Sequence, residues 1–338
     1  MAVLDPGTLG SFHHRVRRRR PGLRRARLLA LALLAVLPVS ARAEGHAQLP
    51  LCAIDMGSNS FKRIVGSFAQ GRYEQGAFEK KTLGVGDDLS RNGRISDAKL
   101  AEIGETLAAF KAACAKDGAG RVVAIGTAAF REAPNGPRVV EIAAKLGIPM
   151  EIASEKRESE LAYLVGSLGK DGYAVIDNGS RSIELVSKQA GQAPRYSVFN
   201  LGYRIAYEKF FAAAETAGPG SFAFRDQLGP EAVKAAPFMK GQGQLVGVEF
   251  DDMAAVLFEP AEIEGRVLTL AELKRKLHEI ETSPAEAFAA LKQKKDIDRA
   301  LPRLVVASTL TEAFGYSGLA LTARELGTGL IIEAGLKR

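Results

Sequence analysis

The chain has 338 residues, with 46 Lys and Arg against 39 Asp and Glu, four His, two Cys and no Trp. Its formal charge of +7 belongs to one end, because residues 1–43 hold nine of the basic residues and one acid, leaving 37 basic and 38 acidic residues in the other 295. A near-neutral body of that size has room for two cored domains and excludes a nucleic-acid footprint built on net charge.

In chain order, Arg15, Arg17 to Arg20, Arg24, Arg25 and Arg27 precede an apolar run of ten, Leu28 to Leu37, then Pro38 and Ala41-Arg42-Ala43. The basic, apolar and small-residue order is that of a secretory signal peptide over 1–43, cleaved after Ala43 to leave a periplasmic or otherwise exported protein. The run is well short of the roughly 20 residues that span a bilayer, so no stable membrane insertion is expected. Leu51 to Lys80 reads as three strands with turns at 57–59 and 71–72, and Gly84 to Asp88 as a loop. A helix runs from about Ser96 to Cys114 with Leu100, Ile103, Leu107, Phe110 and Cys114 on one face. Arg121 to Ile125 is a strand, Pro137 to Leu146 a helix closed by Gly147, Met150 to Ala153 a strand, and Glu155 to Leu168 a helix.

The order then restarts. Two strands with a turn occupy 173–187, a third lies near 195–200, and a helix runs from Tyr203 to Ala214. Gly218 to Gly229 reads as low-order loop. Leu245 to Val248 is a strand, followed by helical segments near 270–281, 284–294 and 301–316, a strand at Leu319 to Thr322 and a helix from about Arg324. A meander of three strands followed by alternating helices and strands, occurring twice, predicts an α/β protein of two duplicated lobes with mixed sheets and a cleft between them. The lobes are expected over 44–155 and 156–338. Cys52 falls in a strand and Cys114 at a helix end, and two cysteines make no disulfide framework, so two buried thiols are expected. Only His46 and His278 follow the leader, which leaves any chemistry to carboxylates, Arg and backbone.

Two stretches 122 residues apart carry that chemistry: Ile54-Asp55-Met56-Gly57-Ser58-Asn59-Ser60-Phe61 and Ile176-Asp177-Asn178-Gly179-Ser180-Arg181-Ser182-Ile183. Each is strand, tight turn, returning strand. An acid ends the first strand, and Gly and Ser expose N–H and hydroxyl donors at the turn, as in an anion nest. Two such turns in duplicated lobes predict a pair of phosphate-gripping loops facing one another.

These residues resemble the exopolyphosphatase/guanosine pentaphosphate phosphohydrolase (Ppx/GppA) family, of the superfamily that contains actin, sugar kinases and acetate kinase. The resemblance is strong over about 50–208 and weak over 300–333. Ala53 to Phe61 is nearly the family's first phosphate loop. Leu83-Gly84-Val85-Gly86-Asp87-Asp88-Leu89 with Gly93 to Ser96 is similar to its next signature. Gly126 to Ala133 with Asn135 resembles its T-x-x-[LF]-R-x-A-x-N segment, and Ser154 to Leu161 stands where the family has S-G-x-E-E-A-x-L. The resemblance implies a ribonuclease H-like, actin-type fold. It implies release of orthophosphate from a terminal phosphoanhydride, with inorganic polyphosphate the easier substrate for an exported protein, and it implies Mg²⁺ or another divalent cation. Carried over residue by residue, Asp177 and Asp55 would serve the metal and Glu158 would be the base, with Glu184 beside it. Gly57, Ser58, Asn59, Ser60, Arg131, Asn135, Gly179, Ser180, Arg181 and Ser182 would hold phosphate. The sequence also permits a homodimer.

Departures from the pattern concentrate in the second lobe. The family's D-I-G-G-G-S-T-E is Asp177 to Glu184 here, with two glycines and a Thr lost. Arg157 replaces the first Glu of the E-E pair. Gly247-Val248-Glu249-Phe250-Asp251 stands for a G-x-[SG]-G-T turn, and Leu326-Gly327-Thr328-Gly329 for L-R-E-G. Glu249 and Asp251 are poor neighbours for a polyanion. Two functions follow: an exported phosphohydrolase with a modified subsite, or a non-catalytic relative that binds a phosphate-rich ligand or a protein partner. In the first, Arg181 points into the cleft and compensates for the Arg replaced by Gly327.

Overall fold

The computed structural model describes residues 49–337; the expected leader and its cleavage site lie outside the described residues. Strands β1 (Leu51–Met56), β2 (Ser60–Ala69) and β3 (Arg72–Thr82) form an antiparallel meander. β4 (Arg121–Gly126) and β5 (Met150–Ile152) join β1 in parallel, giving the order β3-β2-β1-β4-β5. The second sheet repeats the plan. β6 (Tyr173–Asn178), β7 (Ile183–Lys188) and β8 (Arg195–Phe199) meander, and β9 (Gln244–Val248) and β11 (Gly318–Leu321) add in parallel. A short β10 (Val267–Thr269) pairs antiparallel on the outer edge, so the order is β10-β11-β9-β6-β7-β8. Both sheets are thus ribonuclease H-like, and the expected duplication is what the chain builds. β1 and β6 are central in their sheets and almost wholly buried, so the turn that ends each sits over a rigid support.

α5 (Glu155–Ser167) is shared between the lobes. Leu161 and Ala162 join the first-sheet cluster with Ala53, Ile64 and Ile125, while Tyr163 and Val165 join Val175, Val186 and Val246 of the second. After β11 the chain crosses back, and α12 (Gly327–Leu336) packs Leu330, Ile331 and Ile332 against that same first-sheet cluster.

Three expectations are corrected. The segment after Gly84 is a helix, α1 (Val85–Asn92), not a loop: Gly84 takes the left-handed region at φ 62°, and Asp87 and Asp88 favour the positive end of the first turn. The Asp88 carboxylate also accepts from Ser96 N at 2.7 Å, tying α1 to the start of α2 (Asp97–Lys116). The stretch 218–229 lies inside the 23-residue α7 (Ala217–Met239), despite two internal prolines. The stretch read as low-order loop, but Gly220 is there for close packing, since a Cβ would fall 2.2 Å from Phe210 O. Phe224, Leu228, Ala232, Ala235 and Met239 then bury one helix face, and that tertiary burial outweighs weak propensity. Finally, Cys52 and Cys114 are not thiols but a disulfide, joining β1 to the end of α2 beside Val65.

Candidate active site

The two opening hairpins place their turns toward one cleft. In the first, the carbonyls of Ser58 and Asn59 are held from behind: Gly86 N donates to Ser58 O at 2.7 Å, and Leu83 N and Gly84 N donate to Asn59 O at 2.9 Å. The second turn is held the same way by the start of α6 (Tyr203–Phe210). Gly202 N donates to Arg181 O at 3.0 Å, Tyr203 N to Gly179 O at 3.0 Å, and Arg204 N to Ser180 O at 3.2 Å. The glycine that this second contact demands is Gly202, where a Cβ would meet Arg181 N and Gly179 O at 2.5 Å. With their carbonyls so fixed, the N–H groups of Ser58, Asn59, Ser180 and Arg181 donate to no acceptor among the described residues. Each turn thus presents free N–H donors, the arrangement of an anion nest. Arg181 stands where the family has Gly, yet it does not need a left-handed backbone.

Both nests open on a cavity of about 80 Å³, roughly half a dozen water-sized volumes, with a neighbouring cavity of about 360 Å³ beyond them. Ser58, Asn59, Ser180 and Arg181 line both. Into the smaller one the structure brings Asp55, Gly57, Ser60, Glu158, Asp177, Gly179, Ser182 and Glu184 of the residues expected from sequence. Arg131 and Asn135 are not in its wall. Arg131, on the five-residue α3 (Ala128–Glu132), pairs with Glu158 and donates to Ala153 O at 2.8 Å, so it acts on Glu158. Asn135 is a correction: its Oδ1 accepts from Ile95 N at 3.0 Å and its Nδ2 donates to Ile95 O at 2.8 Å, which consumes the amide in bracing the loop before α2.

The carboxyls carry the electrostatics. Glu158, in the first turn of α5, is buried, and burial raises its carboxyl to about 7 against the lowering pull of Arg131. Burial, then the charge of Glu158, raises Glu184 to about 8, although Ser182 Oγ donates to it at 2.5 Å. Asp177 is raised well above the ordinary range by burial and by Glu249 and Glu184, and its Oδ1 is a buried acceptor with no partner. Asp55 is raised to about 7 by burial, with Lys62 opposing.

Three residues that sequence reasoning did not single out complete the site: Lys62, Arg303 and Glu325. Lys62 on β2 bonds Glu249 Oε1 at 2.6 Å, pairs with Glu325, and lies 3.8 Å from Asp55 Oδ2. Arg303, on α11 (Ile297–Ala313), donates to Asn178 O at 2.8 Å, pairs with Asp252, and reaches Glu249 Oε2 at 3.2 Å while lying over the Tyr203 ring. Burial raises the Glu249 carboxyl, but Lys62 and Arg303 outweigh it and hold it at about 2. Glu325 has only Lys62 and goes up, burial being the larger effect. Glu249 also sits at φ 63°, a left-handed backbone that costs a side-chain-bearing residue about 1–2 kcal/mol. A sequence signal existed for two of these. Counting outward from the four-residue turn 57–60 puts Lys62 opposite Asp55, and Arg303 interrupts an apolar helical run, Leu301 to Val306.

A divalent cation fits one part of this site and not another. Asp177 offers an orphaned, buried carboxylate oxygen beside Glu184, a donor set suited to a hard cation. Asp55, Glu249 and Glu325 place carboxylate oxygens within 4.8 Å of one another, but the Lys62 ammonium is already among them.

The Ppx/GppA phosphatase family model matches residues 71–316. Among solved structures, the chain is similar to the Ppx/GppA family member of Aquifex aeolicus, with 21% identity and a TM-score of 0.73, over 86% of this chain and 98% of that one. An exopolyphosphatase from Cytophaga hutchinsonii matches at 17% identity and a TM-score of 0.69, over 85% of this chain and 98% of that one.

Proposed function

This chain belongs to the Ppx/GppA phosphatase family, and from that premise we propose that it is a phosphohydrolase that releases orthophosphate from the end of a phosphoanhydride chain, inorganic polyphosphate being the substrate class. The observation that carries this reading is the meeting of two open anion nests with Glu158, Asp177 and Glu184 around one cavity.

The nests bind and orient the terminal phosphoryl group through N–H donors that need no reorganisation. Glu158, held near 7 and oriented by Arg131, takes a proton from the attacking water as the new P–O bond forms. The bridging P–O bond breaks, and the shortened chain leaves with the electron pair. Asp177, with Glu184, would hold a divalent cation, whose chemistry is to neutralise charge on the phosphate oxygens. Arg181 lines both cavities and pairs with Glu132 across the cleft mouth at 2.6 Å; a chain of phosphates would compete with Glu132 for its guanidinium.

Export is part of the proposal. The Cys52–Cys114 disulfide supports it, since such bonds persist in oxidising compartments, and no helix among the described residues is long and apolar enough to cross a membrane.

A second reading, a non-catalytic binder, has its own support: Lys62 and Arg303 are both committed to carboxylates, and the cavity wall carries more acids than bases. Orthophosphate release from polyphosphate, with and without a chelator, separates the two. Chelator-sensitive release is expected, and its absence in protein that still binds polyphosphate selects the binder.

A further inference from the structure

Lys62 is 7% exposed and stands on β2 of the first sheet. Its three acidic neighbours come from different parts of the fold. Asp55 is its cross-strand partner on β1, Glu249 follows β9 of the second sheet, and Glu325 lies on the strap by which the chain leaves β11 to enter α12. One ammonium therefore joins both sheets and the crossing strap, from the floor of the cleft. Three carboxylates this close, Asp55 buried and Glu249 and Glu325 half-buried, favour a cation among them, since like charges out of water repel and pay desolvation. The ammonium supplies it.

We propose that Lys62 is a built-in cation that takes the place of a metal ion in the Asp55–Glu249–Glu325 trio and clamps the two sheets together across the cleft. The trio is then closed to divalent ions in the native protein, and the family's metal requirement falls on the Asp177 side alone. The inference concerns the same cleft as the proposed hydrolysis but does not depend on turnover.

The test uses Mn²⁺ binding, followed by titration calorimetry and by the paramagnetic signal of free Mn²⁺, in a D177N background that removes the other acceptor. D177N is expected to show no Mn²⁺ site that responds to E325Q. D177N/K62Q should gain one site in the sub-millimolar range, and adding E325Q should weaken it at least tenfold. Where K62Q lowers the yield of folded protein, millimolar Mn²⁺ during refolding should restore it. Overturning results are a Mn²⁺ site in D177N that E325Q weakens, a folded D177N/K62Q that binds none, or a K62Q refolding yield indifferent to Mn²⁺. Loss of phosphohydrolase activity in any variant bears on the function proposed above and leaves these outcomes unchanged.

Discussion

Lys62 and Glu184 occupy the same register position in the two lobes: Lys62 faces Asp55 across the β1–β2 hairpin, and Glu184 faces Asp177 across the β6–β7 hairpin. Duplication has placed an acid at the end of each first strand, and one residue opposite decides its fate. In the first lobe the partner is a cation and the aspartate sits in an ion-pair cluster. In the second it is another acid, which adds to burial in pushing Asp177 up where Lys62 opposes burial at Asp55, and Asp177 keeps an oxygen without a partner.

The pH dependence of the rate follows from Glu158. A base must be ionised to accept a proton, and this carboxyl is raised to about 7, by burial first. The rate with saturating substrate should climb as pH rises through about 7 and flatten above it. A profile already flat from pH 5 would place the ionisation elsewhere.

Stability should move the opposite way. A glutamic acid whose pKa is higher folded than unfolded binds more protons when folded, so stability falls as pH rises from its ordinary range toward the folded value. Glu158 and Glu184 act in the same sense, over a window reaching about 7 and about 8 respectively. Thermal unfolding midpoints should decline between pH 5 and 8, less steeply in E158Q. An equal decline in the variant contradicts the assignment.

Glu132 is expected to restrain Arg181. Their contact spans the cleft mouth from α3 to the second nest and is exposed to solvent. E132A should free the guanidinium and tighten polyphosphate binding several-fold, whereas R181A should weaken it by about 1.5–3 kcal/mol, the range for a hydrogen bond to a charged group. Equilibrium binding at two salt concentrations reads both, with smaller effects at high salt. Loss of affinity in E132A would mean that the pair serves the closed shape instead.

The disulfide bridges residues 62 apart in sequence, a loop for which chain entropy gives about 4 kcal/mol of stabilisation. C52A/C114A should unfold at markedly lower denaturant concentration than the oxidised protein, and reduction should mimic it. Coincident unfolding curves would contradict a formed bond.

The leader prediction is read by mass. Exported protein should begin at Glu44, and retention of the Arg-rich segment would overturn the compartment proposed.

Much of this was legible in sequence because duplicated local patterns encode it. The meander, the acid at the end of each first strand and the Gly-Ser turns recur together, and strand order follows from them. What stayed hidden depends on long-range contact. Gly220 reads as a helix breaker until Phe210 O is known to lie against it. Asn135 reads as a phosphate ligand because its motif does, while the backbone of Ile95 that takes it up is 40 residues away. Lys62 was visible opposite Asp55, but Glu249 and Glu325, at separations of 187 and 263, come to it only through folding. Gly327 lies against side chains remote in sequence, where a Cβ would come 2.9 Å from Ile64 Cδ1 and 3.3 Å from Asp55 Cβ, so a larger residue there would have to push them aside.

The central claim is that Glu158 moves the proton in phosphoanhydride hydrolysis. Its most direct test is single-substrate kinetics and equilibrium binding of polyphosphate by the wild type and E158Q, with Mg²⁺ present. The account predicts orthophosphate release by the wild type, a loss in kcat of roughly two to four decades in E158Q, and binding changed little, because the amide keeps the carboxylate's shape. Equal turnover by E158Q, or no turnover by a wild type that binds the chain, would contradict it.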